Sequence, residues 1–197
     1  MPMLKKTIST RLIITLLFSI PLLTGCVAAV ATTAIVGTDM ATDRRTTGSY
    51  IEDQTIELKS IKALSQNSQL NNSSSISVTS FNRVVLLVGQ APNEKLRSSA
   101  SEIVRKIDNV RKVHNEIRIS APDSFLSSSS DVWITTKAKS LMLAEKDFAS
   151  GHIKIITENG EIFLMGLVSR AEADKAITIV RQIDGVEHVI QAFEYIQ

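Results

Sequence analysis

Thr157-Glu158-Asn159-Gly160-Glu161-Ile162-Phe163-Leu164-Met165-Gly166-Leu167-Val168 is the stretch that decides the fold. Asn-Gly between two apolar-rich runs is the strongest short hairpin signal, because a tight type I′ turn needs positive φ at both central residues. Residues 152–157 alternate and residues 161–167 form the return strand, so the stretch predicts an antiparallel pair. Downstream, Ser169-Arg170-Ala171-Glu172 is a capping box that opens a helix. Gly185 ends that helix at a position suited to left-handed backbone. A last strand over 186–195 places Val189, Gln191, Phe193 and Tyr195 on one face. A strand–helix–strand crossover is right-handed and makes its two strands parallel. Upstream, Asp131 can cap a helix over 131–144, with Ile134, Ala138, Leu141 and Met142 on one face. The unit reads helix, strand, strand, helix, strand. This predicts a small α+β layer, a three-stranded mixed sheet with two helices on one face.

The same unit occurs earlier in the chain. Ile76-Ser77-Val78 matches Ile153-Lys154-Ile155, and Val85-Leu86-Leu87-Val88-Gly89 matches Ile162-Phe163-Leu164-Met165-Gly166. Glu102-Ile103-Val104-Arg105-Lys106-Ile107-Asp108-Asn109-Val110 matches Thr178-Ile179-Val180-Arg181-Gln182-Ile183-Asp184-Gly185-Val186. Asn109 stands where the second copy has Gly185, and asparagine is the next most tolerant of left-handed backbone. Two copies of so long a period indicate domain duplication, not a solenoid. Ser49-Tyr50-Ile51-Glu52 offers the first helix cap, and residues 67–75 read as a long polar loop. The expected domains are 49–119 and 131–197, joined by a polar linker over 120–130.

The amino terminus predicts the compartment. Lys5, Lys6 and Arg11 precede a mostly apolar run over 12–23, the pattern of a secretory signal peptide. The run ends in Leu23-Thr24-Gly25-Cys26, which resembles the bacterial lipobox. That resemblance implies cleavage after residue 25, lipidation of Cys26, and a tether over 26–48. A signal anchor is the competing reading, but Pro21, Gly25 and four threonines weaken a spanning helix that needs about 20 apolar residues. Val27 after the cysteine points, by the same resemblance, to the outer membrane.

The chain holds 22 Lys and Arg against 20 Asp and Glu, and the three leader cations account for the apparent excess. Tracking nucleic-acid phosphates needs a real surplus of cations, so nucleic acid is not an expected partner. One cysteine excludes an intramolecular disulfide framework and a multi-cysteine zinc site. His114, His152 and His188 show no metal-ligand spacing; His114 and His188 read as ordinary strand residues. No serine sits in a G-x-S-x-G elbow. These residues predict no cofactor, no metal and no catalytic site.

The duplicated motifs resemble those of BON domains, the bacterial osmotic-stress and nodulation module. The resemblance rests on Cys26-Val27-Ala28-Ala29, Val85-Leu86-Leu87-Val88-Gly89-Gln90, Asn115-Glu116-Ile117-Arg118, Trp133-Ile134-Thr135-Thr136-Lys137 and the hairpin quoted first. It covers nearly all of the chain after Cys26. Serine runs at 73–75 and 127–130 depart most from the family. The resemblance implies a periplasm-facing tandem, lipid-anchored to the outer membrane, that binds anionic phospholipid and keeps that membrane intact. A scaffold that docks an outer-membrane assembly partner, such as the β-barrel assembly machinery, is the alternative.

The two first helices differ on one side. Trp133, Thr136, Lys137, Ser140, Leu143 and Ala144 lie away from the expected core face, and their counterparts Thr55, Leu58, Lys59, Lys62, Ser65 and Gln66 include no aromatic. A partly apolar face with the chain's one tryptophan and a lysine suits an interfacial helix. Trp133, Lys137, Lys139 and Leu143 are therefore the expected lipid-binding residues. Packing of Trp133 against the other domain is the competing reading. Charge works against the membrane reading, because residues 123–197 hold 7 basic and 11 acidic side chains while residues 46–120 hold 10 and 7.

Overall fold

A computed structural model describes residues 43–120, 125–146 and 148–196. The first domain runs α1 (Thr47–Gln66), α2 (Ser68–Ser73), β1 (Ser75–Phe81), β2 (Val84–Ala91), α3 (Glu94–Arg105) and β3 (Lys112–Ile119). The second runs α4 (Phe125–Ala144), a single 3₁₀ turn (Ser150–His152), β4 (Ile153–Glu158), β5 (Glu161–Val168), α5 (Arg170–Val180) and β6 (His188–Tyr195). In each sheet the middle strand pairs antiparallel with its hairpin partner and parallel with the last strand. The sheet orders are β1-β2-β3 and β4-β5-β6. This is the α+β layer expected for each copy.

Both hairpins turn through left-handed backbone. Asn159 and Gly160 have φ of 49° and 73°, and the first domain uses Asn82 and Arg83 at 50° and 65°. A buried carboxylate holds each turn. Asp131 accepts hydrogen bonds from the backbone N–H groups of Asn159 and Gly160 at 2.7 and 2.9 Å. Asp53 does the same for Asn82 and Arg83, both at 2.7 Å, and also accepts the Ser80 hydroxyl. Gly89 and Gly166 occupy equivalent places, where a Cβ would meet the carbonyl oxygen of Ser75 at the start of β1 or of His152 just before β4. Gly185 and Asn109 take positive φ, 85° and 68°, as expected at the helix exits. The capping box of Ser169 and Glu172 is formed.

Three local expectations are corrected. Helix α4 begins at Phe125, so Asp131 is not its cap and the second half of the segment read as linker is helical. Serine is a middling helix former, and with Asp131 committed to the β4–β5 turn the polar run continues the helix upstream. Helix α1 begins at Thr47 with Thr46 as N-cap, its hydroxyl accepting from the Ser49 N–H, rather than at Ser49. The polar stretch 67–75 is not simply a loop. Asn67 caps the short helix α2, accepting from the N–H groups of Gln69 and Leu70, and Leu70 is buried beneath it.

Within the compact unit Thr42–Gln197 the two domains meet sheet to sheet. Side chains alternate across a strand. Val85 and Leu87 of β2 therefore face the helices of their own domain, while Val84, Leu86 and Val88 face the partner sheet. In β5, Ile162 and Leu164 face α4 and α5, while Phe163 and Met165 join Ala192 and Phe81 in the interdomain core. The order of layers is helices, sheet, sheet, helices. Polar pairs rim the shared core. Lys154 meets Glu57 at 3.0 Å, Arg111 meets Glu194 at 2.9 Å, and Arg118 meets Glu161 at 2.7 Å. Two of these pairs set a first-domain arginine against a second-domain glutamate, and the Lys154–Glu57 pair runs the other way.

Candidate functional site: the outer face of α4

Helix α4 is held from below. Ile134, Ala138 and Met142, at i, i+4 and i+8, are fully buried in the second domain's core, and Leu141 packs partly against it. Thr135 donates its hydroxyl to that of Thr157 on β4 at 2.7 Å, and Asp131 ties the same side to the hairpin turn. The opposite side is then forced outward, because successive residues turn by about 100°.

That outer side carries exposed apolar residues with polar ones between them. Trp133 is 52% exposed and Leu143 is 78% exposed, while Ile134 next to the tryptophan is 1% exposed. Val132 is exposed beside them, and the sequence reading had missed it. Its adjacency to Trp133 was the available signal. Lys137 lies about 40° to one side of Trp133 and Lys139 about 120° to the other, so exposed lysines border the apolar stripe on both flanks. Thr136 and Ser140 fill the space between, each turning its hydroxyl back to the helix carbonyl four residues earlier. The interdomain core is built by the two sheets, and Trp133 is not part of it.

Electrostatics of the face follow from where the acids go. Glu158, Glu161 and Glu194 accept hydrogen bonds from first-domain side chains, and Glu172 is bound by Arg44. Arg44 is the first cause of a Glu172 carboxyl held down at about 2 despite partial burial, and the Ser169 N–H and hydroxyl add to it. Asp131 is buried, and Glu145 at the end of α4 pairs with Lys175 at 2.9 Å. Six of the second domain's acids are thus paired or buried, Asp131 and Glu145 among them on or at the end of α4. The equivalent side of α1 carries exposed Ile51, Leu58 and Ile61 with Lys59 and Lys62 and lacks an aromatic.

Other features of the described residues offer little chemistry. A polar groove of about 440 Å³ between α2 and the start of α3 is lined by Asn72, Asn93 and Lys95 and carries no carboxylate. No three His, Cys, Asp or Glu converge on a metal-sized site among the described residues. His114 lies on β3, where burial foremost and Lys112 next push its imidazole below the usual value. His188 lies on β6, beside Glu161. Cys26 and the leader lie outside the described residues. Among those described, no helix is long and apolar enough to cross a membrane.

Comparison with known proteins agrees with this architecture. The BON domain family model matches twice, over residues 52–121 and 130–197. The chain is 38% identical over 174 residues to "Outer membrane lipoprotein DolP" of Haemophilus influenzae, covering 88% of this chain and 90% of that protein. It is 37% identical over 155 residues to "21 kDa hemolysin" of Actinobacillus pleuropneumoniae, covering 79% and 80%. With "Osmotically-inducible protein Y" of Escherichia coli it shares 28% over 145 residues, 72% of each chain. The matched ranges coincide with the two helix–sheet layers and the relatives span most of the chain: it belongs to the BON domain family, as a tandem member related to outer-membrane lipoproteins.

Proposed function

We propose that this envelope protein is anchored by lipid on Cys26, faces the periplasm from the outer membrane, and holds anionic phospholipid with the outer face of α4. In doing so it helps maintain outer-membrane integrity. The observation that carries the reading is Trp133, a large aromatic left half exposed on a helix whose other side is fully engaged. Tryptophan favours the membrane–water boundary, and a helix with an apolar stripe bordered by lysines can lie in the plane of the headgroups. Trp133 and Leu143 are ten residues apart, about 15 Å along the axis. Their directions differ by about 80°, so one flat surface can reach both. Large apolar side chains contribute roughly 1.5–3 kcal/mol each when fully buried. Lys137 and Lys139 add about 1 kcal/mol each near an anionic surface. The role is binding, with no reaction assigned.

Flotation with vesicles of anionic or neutral phospholipid tests the site. Trp133→Glu should abolish binding to anionic vesicles and Leu143→Glu should weaken it, with both variants folded. High salt should reduce wild-type binding only in part, since lysine attraction is screened and apolar insertion is not. Undiminished binding by folded Trp133→Glu would move the lipid face elsewhere. The anchor is tested separately: Cys26→Ser should be lost from the outer-membrane fraction, and normal fractionation would end that part of the reading.

A second reading, a scaffold for an outer-membrane assembly partner, draws support from α1. Leu58 is 69% exposed, with Ile51 and Ile61 also exposed, on the helix layer opposite α4. A partner held there would not compete with lipid on α4, and Leu58→Glu should leave vesicle flotation unchanged.

A further inference from the structure

Two consecutive arginines at the start of the described chain reach into different domains. Arg44 places its two guanidinium nitrogens on the two carboxylate oxygens of Glu172, both at 2.8 Å, and donates to the Leu167 carbonyl at 3.0 Å. Both acceptors belong to the second domain. Arg45 reaches into the first. It pairs with Asp43 beside it and with Asp53 at 2.7 Å, and its guanidinium lies 3.9 Å from the centre of the Phe81 ring and 5.2 Å from that of Tyr50.

The positions of these partners matter as much as their number. Phe81 belongs to the interdomain core and sits at the end of β1, beside the hairpin turn. Arg45 lies across its ring, so the arginine covers one end of that core. Asp53, the partner of Arg45, also holds the β1–β2 turn, and Asn82 in that turn donates to Glu194 of the second domain at 3.0 Å. Glu172 is the third residue of α5 and closes its capping box, and Leu167 lies near the end of β5. Bidentate arginine–carboxylate pairs are among the stronger polar contacts, because two charge-assisted hydrogen bonds form in fixed geometry.

We propose that residues 43–46 form a strap across one end of the interdomain core, fastened to the second domain by Arg44 and to the first by Arg45, with the two fastenings acting as one. The strap ties the first described residues to both domains. A displacement of the preceding chain is then resisted by both together. The proposal does not depend on the lipid reading of α4.

The strap carries its own reporter, because trypsin cleaves after arginine and a folded site is cut through its open population. The full mature chain is digested and cleavage after Arg45 is followed by mass spectrometry. Arg44→Gln removes one cleavage site and the fastening to the second domain, while every first-domain ligand of Arg45 remains. Cleavage after Arg45 should rise about tenfold. Glu172→Gln keeps an acceptor for the capping box and should raise cleavage after Arg45 to a similar degree. Lys175→Gln, which removes a bridge to Glu145 from the same helix, should leave it at the wild-type rate. Unchanged cleavage after Arg45 in Arg44→Gln would overturn the strap and leave two unrelated contacts. Arg44→Gln alters no member of the capping box, so its result stands even if Glu172→Gln fails to fold.

Discussion

The first helices of the two domains share their inner side and differ on their outer one. Ile56 and Ile134 are buried alike, as are Ser60 and Ala138, Leu64 and Met142, and the turn-holding pair Asp53 and Asp131. On the outside, Thr55 faces solvent where the second domain has Trp133, and Ser65 where it has Leu143. The inner side is tied to the core, and the far face of each sheet is tied to the other domain. Only the outer side of the helix is free of both constraints. A large apolar residue there is not required by folding, which is why the difference bears on function.

The sharpest contrast lies between neighbours on α4. Ile134→Glu places a carboxylate in a core where Ile134 is fully buried, and an unpaired buried charge costs more than a small domain can absorb. Loss of the second domain's dispersed amide spectrum is the expected result. Ile56→Glu should do the same to the first domain. A folded Ile134→Glu protein would mean that α4 can rotate on its sheet, and the division into inner and outer sides would fail.

The paired aspartates come next. Asp131→Asn keeps one acceptor and the shape of the side chain but weakens the hold on a turn already favoured by Asn-Gly, a loss of about 1–3 kcal/mol. Asp53→Asn also strips the carboxylate from beside buried Arg45, and breaking such a pair costs about 3–5 kcal/mol. Denaturant unfolding of the two variants should rank Asp53→Asn as the more damaging. Equal losses would show that Arg45 is served by Asp43 alone.

Much of this frame was legible in the sequence, and what was not has identifiable causes. The Asn159-Gly160 turn, the capping box at Ser169 and the paired helix exits at Gly185 and Asn109 are local devices, read at short range. Asp131 was misread as a helix cap because a buried aspartate facing a distant turn has the same local neighbourhood as a cap. The serine run read as linker for a similar reason, since its composition suits a loop and its helix is supported from downstream. The sheet-to-sheet contact was present as an overlooked pattern. Val84-Val85-Leu86-Leu87-Val88 is apolar on both faces, which marks a strand covered on both sides, and one layer of helices covers only one. The four side chains expected to bind lipid, Trp133, Lys137, Lys139 and Leu143, are exposed.

Exchange between the domains tests the functional side of the comparison. Trp133→Thr installs the first domain's residue at the equivalent position. If Trp133 supplies apolar insertion, anionic-vesicle affinity should fall about tenfold, equivalent to about 1.4 kcal/mol, with no loss of folding. Full affinity would leave Val132, Leu143 and the lysines as sufficient.

The smallest effect concerns the hairpins. The second domain has glycine at the second turn position, whereas the first has Arg83 at φ 65°, a conformation that costs an ordinary L-residue about 1–2 kcal/mol. Arg83→Gly removes that strain and retains the backbone N–H that Asp53 accepts and the carbonyl that accepts from the Arg111 N–H. Against this stands the greater freedom of glycine in the unfolded chain, about 0.5–1 kcal/mol. The arginine side chain returns little, since its Nε is buried without a hydrogen-bond partner among the described residues. The balance predicts a gain of about 0.5 kcal/mol, seen as a small upward shift of the denaturation midpoint. A loss larger than about 1 kcal/mol would mean that the stem of Arg83 packs against the hairpin strongly enough to outweigh the strain, and that the two turns have diverged to suit different surroundings.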